Sequence, residues 1–178
     1  MNLTLTYDGE LKANGSVKHK HAIRRAFHLQ LLEFWKASAF KPTDELMISV
    51  GPYQFFPLVS SARNESAQLR ILMLRPGIGP GFIVTQTGDI DNRLKTLFDA
   101  LRMPRNMSEI PVNDERHDNE DPFFCLLQDD ILVTALSVST DRLLEPCKSK
   151  THVKLVLSVQ TAREPVVGAN MVLIGSRL

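Results

Sequence analysis

Cysteine is nearly missing from this chain: 178 residues hold only Cys125 and Cys147. Two thiols cannot supply the disulfide framework of a small secreted domain, and without a C-x-x-C spacing they do not suggest zinc. Free cysteine behaves as a small hydrophobe, so both are expected reduced and packed. No stretch nears the ~20 consecutive apolar residues of a membrane span. The first ten residues lack a basic start followed by an apolar run. That speaks against a secretory signal and sets the expectation of a cytoplasmic protein. Internal repeats and long linkers are also missing. So is an excess of charge: 21 Lys and Arg stand against 20 Asp and Glu, a net of +1. Any nucleic-acid reading must therefore rest on where the charges sit, not on their sum.

What is present is an ordinary globular composition, 43% hydrophobic and 23% charged. Disorder and collagen-like repeats are poor readings of it. A chain of this length is expected to form a single domain over residues 1–178 and to bury roughly 70% of its extended surface.

Periodicity sets out the elements. Residues 3–7 alternate as a strand that Asp8-Gly9 is expected to end as a turn. Lys12, Lys18, His19, Lys20, His21, Arg24 and Arg25 follow as a basic stretch broken at Asn14-Gly15. From about His21 to Phe40 the pattern is helical, with Ile23, Phe27, Leu31, Phe34 and Trp35 on one apolar face. Arg24, Arg25 and His28 are expected toward its sides, and Pro42 is expected to stop it. Strands are expected at 46–50, 69–74 and 82–85, with turns at Pro76-Gly77 and Gly79-Pro80-Gly81. A second helix spans about 92–103, its inner face being Leu94, Leu97, Phe98 and Leu101. A polar, acidic loop begins at Met103 and reaches about residue 128. The clearest strands are 131–139 and 152–160, the latter with Val153, Leu155, Leu157 and Val159 on one face; 171–175 is a last candidate. The fold class is α+β, a mixed or antiparallel sheet with two main helices.

Chemistry concentrates in Gly88-Asp89-Ile90-Asp91-Asn92-Arg93-Leu94-Lys95. On an extended entry into the helix, Asp89 and Asp91 would point to the same side. Lys95, four residues past Asp91, shares a helical face with it. Two carboxylates and an ammonium at a helix start suit Mg²⁺ and phosphate, because hard cations choose oxygen ligands and Mg²⁺ keeps waters that a phosphate displaces. The plainer reading is an N-cap at Asp91, a favourable helix-start charge at Asp89 and a solvated Lys95. Asp99 most simply pairs with Lys95 or Arg102. Asp129-Asp130 precede a strand, where one carboxylate could join the same site, since neighbours in extended chain face opposite ways. His19 and His21 form a weak metal pair without a third ligand, and His117 sits in the acidic loop as a hydrated residue.

The segment Asp89-Ile90-Asp91-Asn92-Arg93-Leu94-Lys95-Thr96-Leu97-Phe98-Asp99-Ala100-Leu101, followed by Asp129-Asp130-Ile131-Leu132-Val133, resembles the RusA-type Holliday junction resolvases. These are endodeoxyribonucleases with the pattern D-[LI]-D-N-x-x-K-x-x-x-D-x-L, then D-D and a strand. The resemblance implies a RusA-like, homodimeric, Mg²⁺-dependent endonuclease, with Mn²⁺ able to substitute. It would resolve four-way DNA junctions by paired phosphodiester hydrolysis in recombination and repair, in a bacterial or phage-encoded setting. The implied catalytic residues are Asp89, Asp91, Lys95 and Asp130, with Asp89, Asp91 and Asp130 as metal ligands and Asp129 a weaker one. Lys12, Lys18, Lys20, Arg24 and Arg25 are the candidates for DNA phosphate. Phe123-Phe124 either pack the sheet or wedge at the junction. The chain departs from the family in its long acidic segment, with Glu109, Asp114, Glu115, Asp118, Glu120 and Asp121, and in its near-neutral charge. Those departures keep two other readings open: a less specific Mg²⁺-dependent endonuclease, and a branched-DNA-binding protein that does not cut.

Overall fold

The computed structural model describes residues 1–38, 42–43, 46–76, 89–147 and 149–163. Its strands are β1 (Asn2–Glu10), β2 (Ile48–Val50), β3 (Tyr53–Val59), β4 (Glu65–Arg75), β5 (Phe123–Leu127), β6 (Val133–Arg142) and β7 (His152–Arg163), and its helices are α1 (Val17–Ala37) and α2 (Asp89–Leu101). A four-stranded sheet is ordered β1-β7-β4-β6 and a three-stranded one β2-β3-β5. β7 runs antiparallel to β1 and β4, whereas β6 runs parallel to β4 and β5 parallel to β3. This is the expected α+β class, with mixed sheets. No helix among the described residues is long and apolar enough to cross a membrane.

β7 shows how alternation becomes a layer. Val153, Leu155, Leu157 and Val159 are all buried, with Leu5 of β1 and Leu69, Ile71 and Met73 of β4 in the same cluster. Ile23, Phe27, Leu31 and Trp35 of α1 and Leu97 and Leu101 of α2 close over that face. Each such aliphatic side chain withdrawn from water contributes about 1.5–3 kcal/mol before chain entropy is counted. On the opposite face Thr4, Gln68, Arg70, Ser158 and Gln160 stay exposed, as in an antiparallel sheet solvated on one side.

Several expectations need correction. Asp8-Gly9 is no turn: β1 continues to Glu10, with Asp8 opposite Lys154 and Gly9 opposite Val153. Asp8 pairs with His152 and Lys154 at 2.8 and 3.3 Å. Tyr7 folds over Gly9, where a Cβ would meet its hydroxyl at 2.7 Å. α1 starts at Val17 instead of near His21, because the Ser16 side chain accepts from His19 N–H at 3.3 Å and caps it. The helix ends at Ala37, three residues short of Phe40, where Ser38 turns extended. Arg24 and His28 are buried inside the fold and not at its sides. The strand expected at 46–50 is shorter, that at 69–74 longer, and α2 begins at Asp89 and ends at Leu101. The strand expected from residue 131 begins at Val133, after a 3-10 turn over Asp130–Leu132. β3 and β5 escape the alternation test because all of β5 and nearly all of β3 are buried on both faces, which gives continuous apolar runs. The expected strands at 82–85 and 171–175 and the turns from residue 77 to 81 lie outside the described residues.

Candidate functional site

α2 sorts its residues by helical spacing. Ile90, Arg93, Leu97 and Leu101 are buried, while Asp91 and Lys95 are exposed. Arg93 Nη1 donates to the carbonyls of Leu11 at 2.6 Å and Thr151 at 3.4 Å. That ties the first turn of α2 to the end of the sheet where β1 finishes and β7 begins. Gly15 N–H donates to Thr96 Oγ1 at 2.9 Å. The close approach needs glycine, since a Cβ there would meet His19 and Thr96 at 2.7 and 2.8 Å. This contact presses the start of α1 against α2. Lys18 is exposed on the first turn of α1, Lys12 N–H donates to His19 Nε2 at 3.2 Å, and Lys20 pairs with Asp99 of α2 at 2.7 Å. Lys12 also pairs with Glu10 at 2.9 Å. Asp91 and Lys95 themselves make no hydrogen bond or ion pair with a described residue. Asp89 opens the helix.

Asp129 and Asp130 belong to the other end. Gln128 N–H donates to Val59 O at 2.9 Å, and Gln128 Oε1 accepts from Ser60 Oγ at 2.9 Å and Ser61 N–H at 2.9 Å. Asp129 caps the turn, accepting from Ile131 N–H at 3.1 Å. Arg105 reaches both carboxylates at 3.3 Å. The two carboxylates compete: Asp130 is raised above its ordinary value by its hydrogen bond to Asp129, then by burial and by that neighbour's charge. Asp129 is lowered; burial opposes its charge, but the Asp130 hydrogen bond, the Ile131 amide and Arg105 prevail. A divalent cation would relieve the same repulsion.

The structure brings Asp91 and Lys95 together, and Asp129 with Asp130, but it separates the two sets. Met103 N–H donates to Leu127 O at 2.9 Å, so the chain before Asp129 lies against the last turn of α2. From Asp91 to Arg102 the helix advances about 16 Å at 1.5 Å per residue. Asp130 lies beyond that point, beside Arg105. No group of three or more His, Cys, Asp or Glu suited to a metal occurs among the described residues.

Besides Lys12 and Lys20, the two arginines among the DNA candidates have partners inside the fold. Arg24 is 2% exposed and donates to Arg102 O at 3.1 Å and Asp99 O at 2.7 Å. Arg25 grips Asp114 at 2.9 Å and Glu120 at 2.6 Å. Sequence reading missed this network, which also holds His21 at 3.1 Å from Asp114 and the Tyr53 hydroxyl donating to it. Burial, then Arg24, lowers His21 to about 4. His28 takes the Phe124 N–H at 2.9 Å on Nδ1. The available signal was a polar stripe, His21, Arg25 and His28, at helical spacing. The acidic loop is thereby fastened: Glu109 pairs with Arg102 at 2.7 Å, and Asp114 and Glu120 with Arg25. His117 is exposed near Glu120. His19 and His21 share no ligand geometry, one facing Lys12 N–H and the other Asp114. Phe123 and Phe124 are buried against His28 and Trp35, which makes them core and not a wedge. Cys125 and Cys147 are free thiols, the first buried.

Compared with known proteins, the chain matches no protein-family model and no curated protein.

Proposed function

We propose that the chain is a Mg²⁺-dependent, structure-specific endonuclease that nicks branched DNA, four-way junctions foremost, as a homodimer in recombination and repair. One observation carries the reading: Asp91 and Lys95, one turn apart on the exposed face of α2, make no hydrogen bond or ion pair with a described residue, and the Gly15–Thr96 contact holds the start of α1, with Lys18 and Lys20, against that helix. Exposed carboxylates that serve no fold contact have oxygens to offer a hard cation. Asp89 and Asp91 would hold Mg²⁺; Asp130, beside Arg105 past the other end of α2, lies too far away to join them within one chain. When bound, Mg²⁺ polarises the scissile phosphate and lowers the pKa of a water. Lys95 offsets charge developing on the phosphate oxygens. Lys12, Lys18 and Lys20 hold the flanking phosphates; Arg24 and Arg25 drop out of that set.

A second reading has its own observation, the distance between Asp91 and Asp130 within one chain, which suits a branched-DNA binder that does not cut. One experiment separates them. The protein is incubated with labelled four-way junction, flap and linear duplex, in Mg²⁺ and in EDTA. Symmetric, Mg²⁺-dependent nicks on the junction, reduced at least ~100-fold (about 2.7 kcal/mol) by Asp91→Asn, support the resolvase. Nicks spread over all three substrates support a broader nuclease. A mobility shift without cutting supports the binder.

A further inference from the structure

Several cations are neutralised within the chain: Lys20, Arg25, Arg63, Arg102 and Arg105 each pair with a carboxylate. Arg70, in the middle of β4, makes no hydrogen bond or ion pair with a described residue. It stands on the open face of the four-stranded sheet, away from α1 and α2. Ser137 of β6 and Ser158 of β7 flank it, and Thr4 of β1 lies beyond Ser158. The neighbouring row is Gln68 with Ala135, Gln160 and Asn2. All eight residues are exposed. A cavity of about 460 Å³ lies over the two rows.

No carboxylate enters these rows or the next, Thr6, Val156, Leu72 and Ser139; the first are Asp8 and Asp141, one row further on. An anion on Arg70 therefore meets hydroxyl and amide donors and no opposing charge. A guanidinium commonly takes phosphate through two parallel hydrogen bonds. Contacts to the phosphates and sugars of DNA come from Arg, Ser, Thr, Asn and Gln side chains, and those make up both rows apart from Ala135. The rows hold no aromatic ring, so the bases of a single strand would have nothing to stack on. Nor do they hold the aromatic and apolar anchors found at the centre of a protein interface. A duplex backbone needs neither.

We propose that the open sheet face, centred on Arg70, holds the phosphate backbone of a second duplex arm, apart from the one at α2. Rows about 7 Å apart on four strands about 14 Å across give a platform for backbone contacts. Asp91 and Lys95 are exposed on α2, which covers the other side of the sheet. One straight duplex cannot lie against both sides of a layer, whereas two arms of a branch can. Arg70 thereby separates branched from linear DNA. The proposal rests on the DNA part of the reading above and not on cutting.

The test measures binding of labelled four-way junction and of linear duplex to the full-length protein, in EDTA and across a salt series. Arg70→Gln should weaken junction binding at least ~5-fold and reduce its salt slope of log K by about 1. Linear duplex, held by the lysines beside α2, should change less than ~2-fold. Ser158→Asp, an exposed change that sets a carboxylate beside Arg70, should act in the same direction without moving the melting temperature. Junction affinity and slope unchanged in both variants overturn the site and leave the endonuclease reading standing. Equal losses on junction and duplex overturn the two-arm arrangement. A wild type that binds neither DNA overturns the site and the reading together. A wild type that binds but never nicks once Mg²⁺ is added overturns the endonuclease reading alone.

Discussion

The acidic loop and the candidate site hold the same kind of residue under opposite conditions. In the loop, Asp114 and Glu120 close on Arg25, and Glu109 on Arg102. All three are lowered: burial opposes their charge, but it is outweighed by the guanidinium hydrogen bonds at Glu120 and Glu109 and, at Asp114, by the Tyr53 hydroxyl and then Arg25. At the candidate site Asp91 is exposed without a described partner, and Asp130 is raised by Asp129. Carboxylates neutralised inside the chain hold structure. Carboxylates left without a counter-ion, or crowded on one another, are those that an external cation would stabilise. Counting acids in the sequence treats the two groups alike, which is why the loop read only as a departure from the resembled family.

The contrast can be broken first at Arg25. Arg25→Ala strands Glu120, 1% exposed, as an uncompensated buried charge and is expected to cost about 3 kcal/mol. Denaturant unfolding reads this, and a loss under 1 kcal/mol would put the clamp on the same footing as surface pairs. Asp91→Asn, by contrast, should leave stability within about 0.5 kcal/mol.

Acid sharpens the same contrast. His21 titrates ordinarily at 6.5 and in the fold at about 4, so below pH 6.5 the unfolded chain binds more protons than the folded one. Stability is therefore lost as pH falls from 6.5 toward 4. Glu120 and Asp114 add to the loss below their ordinary values of 4.5 and 3.8. Melting temperature followed from pH 7 to 4 should fall steadily; a flat profile would remove the clamp from the account of stability.

The smallest expected effect is at the rim of the site. Lys18→Glu should weaken DNA binding and reduce the salt slope of log K by about 1, without changing the melting temperature. An unchanged slope would move the phosphate contacts away from the start of α1.

Legibility followed the range of the interactions. That Asp91 and Lys95 share an exposed face of α2 was readable because helical spacing alone places them. The β7 face was readable because alternation alone assigns it. Arg24 and Arg25 were misread because nothing local shows that Asp114, 89 residues away, waits for one, or that the Asp99 carbonyl takes the other. β3 and β5 were passed over because strands buried on both faces lack the pattern that marks a strand. Asp8-Gly9 misled because a turn signature yields to nine ladder partners on β7.

By itself, the amino-acid order determined the α+β class, the apolar faces of α1 and α2, and which side chains of α2 turn to water, since each follows from a period of two or 3.6 residues. Only the tertiary structure decided which charges cancel and that Asp91 and Asp130 stand at opposite ends of one helix. Those are distances between segments far apart in the chain, set by how layers pack and by no pattern along the chain.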